Sequence, residues 1–137
     1  MPTIRRVLET ALYCDDLAGA ANFYREVFGL GVHFRDDRLV ALDAAGATVL
    51  LLFKRGASNE GVSFPGGFIP PHDGAGPAHV AFAVDAGSLE EWEQRLAAAG
   101  IAIESRVQWG RGGRSLYFRD PEGHSVELAT PGVWPTY

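Results

Sequence analysis

The sequence has one cysteine, Cys14, in 137 residues, so no disulfide can form within the chain. Bridge-stapled secreted folds are thereby excluded, and stability has to come from buried apolar surface. No apolar run approaches the ~20 residues that a membrane-spanning helix needs, and no basic-then-apolar leader opens the sequence. Positive charge is in short supply. Twelve Lys and Arg stand against seventeen Asp and Glu, for a net charge of −5, the wrong sign for a general binder of nucleic acid or anionic membrane. The expectation is a cytoplasmic protein with a small-molecule partner, no nucleic acid and no membrane. What is present is ordinary for a globular chain: 47% hydrophobic and 21% charged residues. A chain of this length buries about two-thirds of its unfolded surface, enough for one domain.

The sequence repeats itself. "LETALYCDDL" at Leu8–Leu17 and "AHVAFAVDAGSL" at Ala78–Leu89 are both alternating segments that run into an Asp and then a helix. Glu9 precedes Asp15 by six residues, as His79 precedes Asp85. Leu17, Ala20, Ala21, Tyr24 and Phe28 recur at helical spacing, with Asp15 and Asp16 as helix-start residues and Gly29 or Gly31 as the stop. In the second copy Ser88 and Glu91 predict a capping box. Leu89, Trp92, Leu96 and Ala99 form the apolar stripe, and Gly100 ends it. Strands and hairpins follow each helix, and Asp43–Gly46 matches Asp120–Gly123 as a turn. The fold class is α+β, with two tandem βαβββ modules in one domain spanning 1–137. Module one covers about 4–55, a Gly- and Pro-rich connector about 56–77, module two about 78–130 and a tail 131–137. A connector that long is often functional.

Strand alternation sorts the side chains. Leu8, Thr10, Leu12 and Cys14 share one face of the first strand, while Glu9, Ala11 and Tyr13 share the other. Val80, Phe82 and Val84 go to the core, which turns His79, Ala81 and Ala83 the opposite way. Val126, Leu128, Leu116 and Phe118 are core, leaving Ser125, Glu127, Ser115, Tyr117 and Arg119 on the second face. Two carboxylates and an imidazole among small residues call for a counter-charge, since an unpaired buried carboxylate is costly. Glu9, His79 and Glu127 are therefore candidate metal ligands. Counting four residues on from Gly46, as Glu127 stands four on from Gly123, places Leu50 at the fourth position. Leucine cannot coordinate, so a three-ligand site with open positions is expected, the form catalytic sites take.

The paired modules, "DDLAGAANFYREVFGL", "HVAFAV" and "LYFRDPEGHSVEL" together resemble the vicinal oxygen chelate superfamily. That superfamily contains glyoxalase I, extradiol dioxygenases, methylmalonyl-CoA epimerase, fosfomycin-resistance thiol transferases and metal-free bleomycin-binding proteins. The resemblance implies a curved mixed sheet, a homodimer, and metal positions at Glu9, Leu50, His79 and Glu127. Glu9 stands where most members have His, and Leu50 where glyoxalase I has a carboxylate. It implies a glyoxalase-like metal-dependent enzyme, an isomerase, lyase or thiol transferase, acting on a small oxygen-chelating substrate. A metal-free drug-sequestering protein and an extradiol-type dioxygenase are the alternatives.

One His and two Glu suit Mn, Fe, Zn or Ni as the single divalent ion, and their two negative charges cancel it. An imidazole must be neutral to ligate, so metal affinity should fall as pH drops toward about 6. Glu127, Tyr117 and the connector's His72 are the catalytic candidates. Tyr13, Ser115, Tyr117, Arg114 and Arg119 are candidates for holding substrate, the arginines because guanidinium suits a carboxylate or phosphate. Leu50 and Leu52, with Val40, are expected to give the site an apolar side. Cys14 is expected in the core, and Trp134 and Tyr137 against either the body of the protein or, by preference, a second subunit.

Overall fold

The computed structural model describes residues 1–137, which form two compact units, Met1–Ala75 and Gly76–Tyr137. The first unit runs β1 (Glu9–Cys14), α1 (Leu17–Phe28), β2 (Gly31–Arg35), β3 (Leu39–Ala44) and β4 (Thr48–Lys54), then a small hairpin of β5 (Val62–Phe64) and β6 (Gly67–Ile69). Its sheet has the order β1-β4-β3-β2. β1 is parallel to β4 and the remaining neighbours are antiparallel. The helix starts where expected. Asp16 is the N-cap, its carboxylate accepting from the Gly19 N–H at 3.0 Å, which satisfies one of the free amides of the first turn. Gly29, at φ 70°, ends it and donates to the Arg25 carbonyl. Asp15 instead pairs with Arg55 at 2.9 Å.

α1 buries Ala20, Ala21, Tyr24 and Val27 and packs on β3 and β4. The strands offer Leu12, Cys14, Val40, Leu42, Leu50 and Leu52, each at most 2% exposed. Full burial of one such side chain is worth roughly 1.5–3 kcal/mol, so this face is the main source of the unit's stability. The sequence-based connector belongs largely to this unit. Its β5–β6 hairpin was hidden by the glycines and proline around it. The chain then folds back: the His72 N–H donates to the Ser58 carbonyl at 3.0 Å, and the Gly56 N–H to Asp73 at 3.1 Å.

The second unit runs β7 (His79–Ala83), α2 (Leu89–Ala98), β8 (Ser105–Gln108), β9 (Arg114–Arg119) and β10 (Ser125–Ala129). The order β7-β10-β9-β8 repeats that of the first sheet. Leu89 and Leu96 of α2 are buried, as are Leu116, Phe118, Val126 and Leu128 of the strands. The capping box expected at Ser88 does not form. Its hydroxyl donates to the Asp85 carbonyl at 2.7 Å instead, closing a turn ahead of the helix. Gly100 takes a φ of 74° at the stop.

The two β-hairpins differ in one respect that matters for the site. Asp43 pairs with Val49 inside its ladder, whereas Asp120 lies outside the Arg119–Ser125 pair. Asp120 builds the second turn, accepting from the amides of Glu122 and His124, both at 2.9 Å, and from the His124 ring at 2.7 Å. Both side chains are buried.

Candidate functional site

The pairing registers superpose the two sheets residue by residue. Glu9 faces Val49 across the parallel pair as His79 faces Ser125. Two residues on, Ala11 faces Leu51 as Ala81 faces Glu127. The counterpart of Glu127 is therefore Leu51. The expectation of Leu50 came from counting from the turn glycine, which sits one place differently in the two hairpins. Leu50 and Leu52 are corrected accordingly: both point into the core beneath α1 and cannot hold substrate.

In the second unit His79, Glu127, Ser115 and Tyr117 come together on one sheet face. Tyr117 and Glu127 are direct cross-strand partners. Glu127 is only 6% exposed, and its Oε2 accepts from the Ser115 hydroxyl at 2.8 Å. The Trp109 indole N–H donates to that same hydroxyl at 2.8 Å. A short chain of donors thus fixes the carboxylate, and Ser115 serves as its orienting residue. His79 is fixed from the other side. Its Nδ1 lies 3.0 Å from the Ser125 carbonyl, which can only accept, so Nδ1 carries a proton. In the neutral ring Nε2 is then the lone-pair atom, and it sits 3.3 Å from Glu127 Oε1. Tyr117 hydrogen-bonds with Glu127, and its ring stacks on His79 with centroids 6.2 Å apart. Burial first, and the Glu127 carboxylate second, push the Tyr117 phenol above its ordinary range.

These groups open into a cleft of about 590 Å³, within the usual range for small-molecule sites. Ala81, Ala83 and Ala129 leave it room, and the tail adds Val133, Trp134 and Tyr137. Tyr137 ties the tail to the body of its own unit. Its hydroxyl donates to the Val84 carbonyl of the same unit at 2.9 Å. Trp109 and the tail aromatics were missed as site residues, because both lie outside the strands whose alternation was read. The near-miss signal was composition: "TPGVWPTY" carries two aromatics among turn residues.

The remaining candidates lie elsewhere. Arg114 is corrected: alternation puts it on the face of Leu116, where it pairs with Glu90 of α2 at 3.0 Å. Arg119 has the expected facing but is held by Glu104 at 2.7 Å and by the Gly123 carbonyl at 3.2 Å. Glu9, Tyr13 and His72 belong to the first unit. Glu9 is exposed. The Tyr13 hydroxyl is 2.6 Å from His72 Nδ1, and the His72 ring meets Phe53 edge-on at 4.6 Å. Neither unit by itself gathers three His, Cys, Asp or Glu around one point. No helix is long and apolar enough to cross a membrane.

Comparison with known proteins identifies the family. Residues 6–128 match the family described as Glyoxalase/Bleomycin resistance protein/Dioxygenase superfamily. The glutathione transferase FosA of Serratia marcescens is 30% identical over 117 residues, covering 85% of this chain and 74% of that protein. The metallothiol transferase FosB of Staphylococcus saprophyticus is 28% identical, covering 85% and 70%. Among solved structures, a lactoylglutathione lyase from Agrobacterium tumefaciens superposes with a TM-score of 0.88 at 36% identity, covering 98% of this chain and 99% of that one.

Proposed function

Because the chain belongs to the Glyoxalase/Bleomycin resistance protein/Dioxygenase superfamily, we propose that it is a metal-dependent enzyme of the glyoxalase-like type, acting on a small substrate that offers oxygen to a divalent ion. One observation carries the metal. His79 Nε2 and Glu127 Oε1 face each other at 3.3 Å, while the Ser125 carbonyl reserves the ring proton for Nδ1. Two lone pairs at that distance repel unless a proton or cation lies between them. The donor chemistry fits an ion: a neutral imidazole oriented by a backbone carbonyl and a carboxylate oriented by a hydroxyl are the outer-shell supports that ligands usually have. His79 and Glu127 are the ligands this unit would supply, with the remaining coordination positions open.

When bound, the ion would polarise a substrate oxygen as a Lewis acid. The side chains supply the rest. Ser115 keeps Glu127 from rotating away, with Trp109 fixing the hydroxyl in turn. Tyr117, kept a neutral phenol by burial and by donating to Glu127, would stabilise a substrate oxygen that gains negative charge by turning its O–H from the carboxylate to that oxygen. Glu127 is the group placed to accept a proton from substrate. The names of the relatives, two thiol transferases and a lyase, favour thiol addition, or lyase or isomerase chemistry on a thiol adduct.

The test is metal content after loading with Mn²⁺, Ni²⁺ or Zn²⁺ and desalting. Wild type should retain about one ion per chain and Glu127→Ala almost none. Equal, negligible retention in both would overturn the proposal. Turnover of methylglyoxal–thiol adducts, or of epoxides with thiols, by the loaded enzyme then identifies the reaction.

A further inference from the structure

Trp109 supports the Ser115 hydroxyl, yet it stands on a turn, Trp109–Gly113, that belongs to no strand. The turn is closed by its own backbone. The Trp109 N–H donates to the Gly113 carbonyl at 2.8 Å, and the Gly112 N–H to the Trp109 carbonyl at 3.0 Å. Three of its five residues are glycine, so it has few side chains with which to fix an indole. The tail does the fixing. Gly132 crosses Gly113 backbone to backbone. A Cβ on Gly132 would sit 2.5 Å from the Gly113 nitrogen and 2.9 Å from the Arg111 carbonyl oxygen, and its φ of 105° is one that other residues rarely adopt. Two residues earlier, the buried Thr130 grips the start of β9. Its N–H donates to the Arg114 carbonyl at 3.0 Å, and its hydroxyl accepts from the Arg114 N–H at 2.8 Å. The far end of the tail is tied as well: the Gly132 N–H donates to the Tyr137 main-chain oxygen at 2.8 Å, and the Tyr137 hydroxyl to the Val84 carbonyl.

We infer that Thr130 and Gly132 are positioning residues for Glu127, acting through the Trp109 turn. The tail holds the turn, and the turn holds the indole. The indole N–H, which can only donate, takes the Ser115 oxygen as its acceptor. The single proton of that hydroxyl is then left for Glu127 Oε2, at 2.8 Å. A loosened tail no longer imposes this direction. The hydroxyl turns among its staggered wells, and a carboxylate that is 6% exposed loses its fixed donor. If the tail served packing alone, loosening it would lower stability and leave the carboxylate as it was. The inference deepens the metal reading above and rests on it only for the effect on ion affinity. The hold of the tail on the indole is independent of any ion.

The experiment compares Gly132→Ala, Thr130→Val and Thr130→Ser in the full chain. In metal-free protein the Trp109 indole N–H resonance, assigned with Trp109→Phe, reports the hydrogen bond to Ser115. Gly132→Ala should shift it and speed its exchange with solvent at least about tenfold. Thr130→Val should do the same to a smaller extent, and Thr130→Ser, which keeps the hydroxyl, should recover the wild-type signal. Mn²⁺ affinity should fall several-fold in Gly132→Ala, less than the about 10–100-fold expected for a partner that touches the carboxylate. In a Ser115→Ala background Gly132→Ala should cost no further Mn²⁺ affinity, because the route is already cut. An unmoved indole resonance, unchanged Mn²⁺ affinity when the indole moves, or an undiminished loss in the Ser115→Ala background would each overturn the inference. Should Gly132→Ala fail to fold, Thr130→Val carries both readings, since valine matches threonine in shape. If wild type retains no ion, the metal reading alone fails, and the indole resonance still decides the role of the tail.

Discussion

Leu51 and Glu127 occupy the same place in two copies of one strand order. Around Leu51 the first unit fills its free sheet face. Leu39, Ala41 and Phe53 are buried there, with Ala11, Tyr13, Val49 and Leu51 packed against them. The connector then lies on top, with His72 against Phe53. Gly74 comes so close that an added Cβ would sit 2.6 Å from the Tyr13 ring. Around Glu127 the second unit does the reverse, lining its face with alanines, one fixed carboxylate and an open cleft. The helix-bearing faces, by contrast, are alike: leucine, valine and phenylalanine under a helix in both. A duplicated module thus keeps its stability on one face and is free to diverge on the other. One copy spends that freedom on packing and the other on chemistry.

Core truncation in the shared face should produce the largest effect. Phe118→Ala and Leu52→Ala remove fully buried side chains and should cost about 2–5 kcal/mol each in urea unfolding. If either costs less than about 1 kcal/mol, the helix-bearing faces are not equivalent supports. Exchanging the diverged residues comes next. Glu127→Gln should cut metal affinity at least about a hundredfold, the scale expected when a ligand goes rather than its support, and leave the urea midpoint nearly unchanged. Leu51→Ala should do the opposite, lowering stability while leaving metal affinity alone. If Leu51→Ala impaired metal retention as much as Glu127→Gln, the division of labour between the faces would be wrong.

The repeat made most of this fold legible. Period-two alternation placed His79, Glu127, Ser115 and Tyr117 on one face, and the caps at Asp16 and Gly29 lie where the sequence put them. What failed was counting across a turn. Asp43 and Asp120 look alike in sequence, but one is in a ladder and the other builds a turn with His124. The resulting one-residue slip turned Leu51 into Leu50 and, with it, a packed face into a supposed ligand wall. Arg114 was chosen for its charge, although its own alternation with Leu116 already directed it to α2. The tail and Trp109 were out of reach for a different reason: irregular segments have no period, so nothing in the pattern says which way an indole points. Ser88 shows the same limit at smaller scale, since its hydroxyl can accept from a helix amide or donate to the Asp85 carbonyl, and the motif names only the first.

A smaller effect is expected behind Glu127. Ser115→Ala removes the hydroxyl that holds Oε2 at 2.8 Å and leaves a buried carboxylate oxygen and the Trp109 N–H without it. Metal affinity should fall about 10–100-fold, the range seen when an outer-shell partner is lost. Ser115→Thr, which keeps a hydroxyl, should recover much of it. Trp109 fluorescence should change in the alanine variant alone, which separates a positioning role from general loosening. Indifference of metal affinity to Ser115→Ala would mean the carboxylate is held by its strand and not by the donor chain.

The smallest effect compares the two phenols. Burial raises both Tyr13 and Tyr117, but the second cause differs: the Asp73 carboxylate for Tyr13 and Glu127 for Tyr117. A phenol raised in the folded state holds its proton where the unfolded chain has released it. Its contribution to stability is therefore intact below the ordinary value of about 10 and is lost as pH rises through the raised one. Alkaline titration of metal-free protein, followed by phenolate absorbance, should show both ionising late. Glu127→Gln should bring Tyr117 part of the way back and leave Tyr13 where it is, and Asp73→Asn should do the converse. Tyr13→Phe also forfeits the hydroxyl bond to His72, worth about 0.5–1.5 kcal/mol at neutral pH, and should loosen the connector to hydrogen exchange. If Glu127→Gln shifted Tyr13 as strongly as Tyr117, the two faces would be electrostatically one site, and the contrast between a packed face and a chemical one would fail.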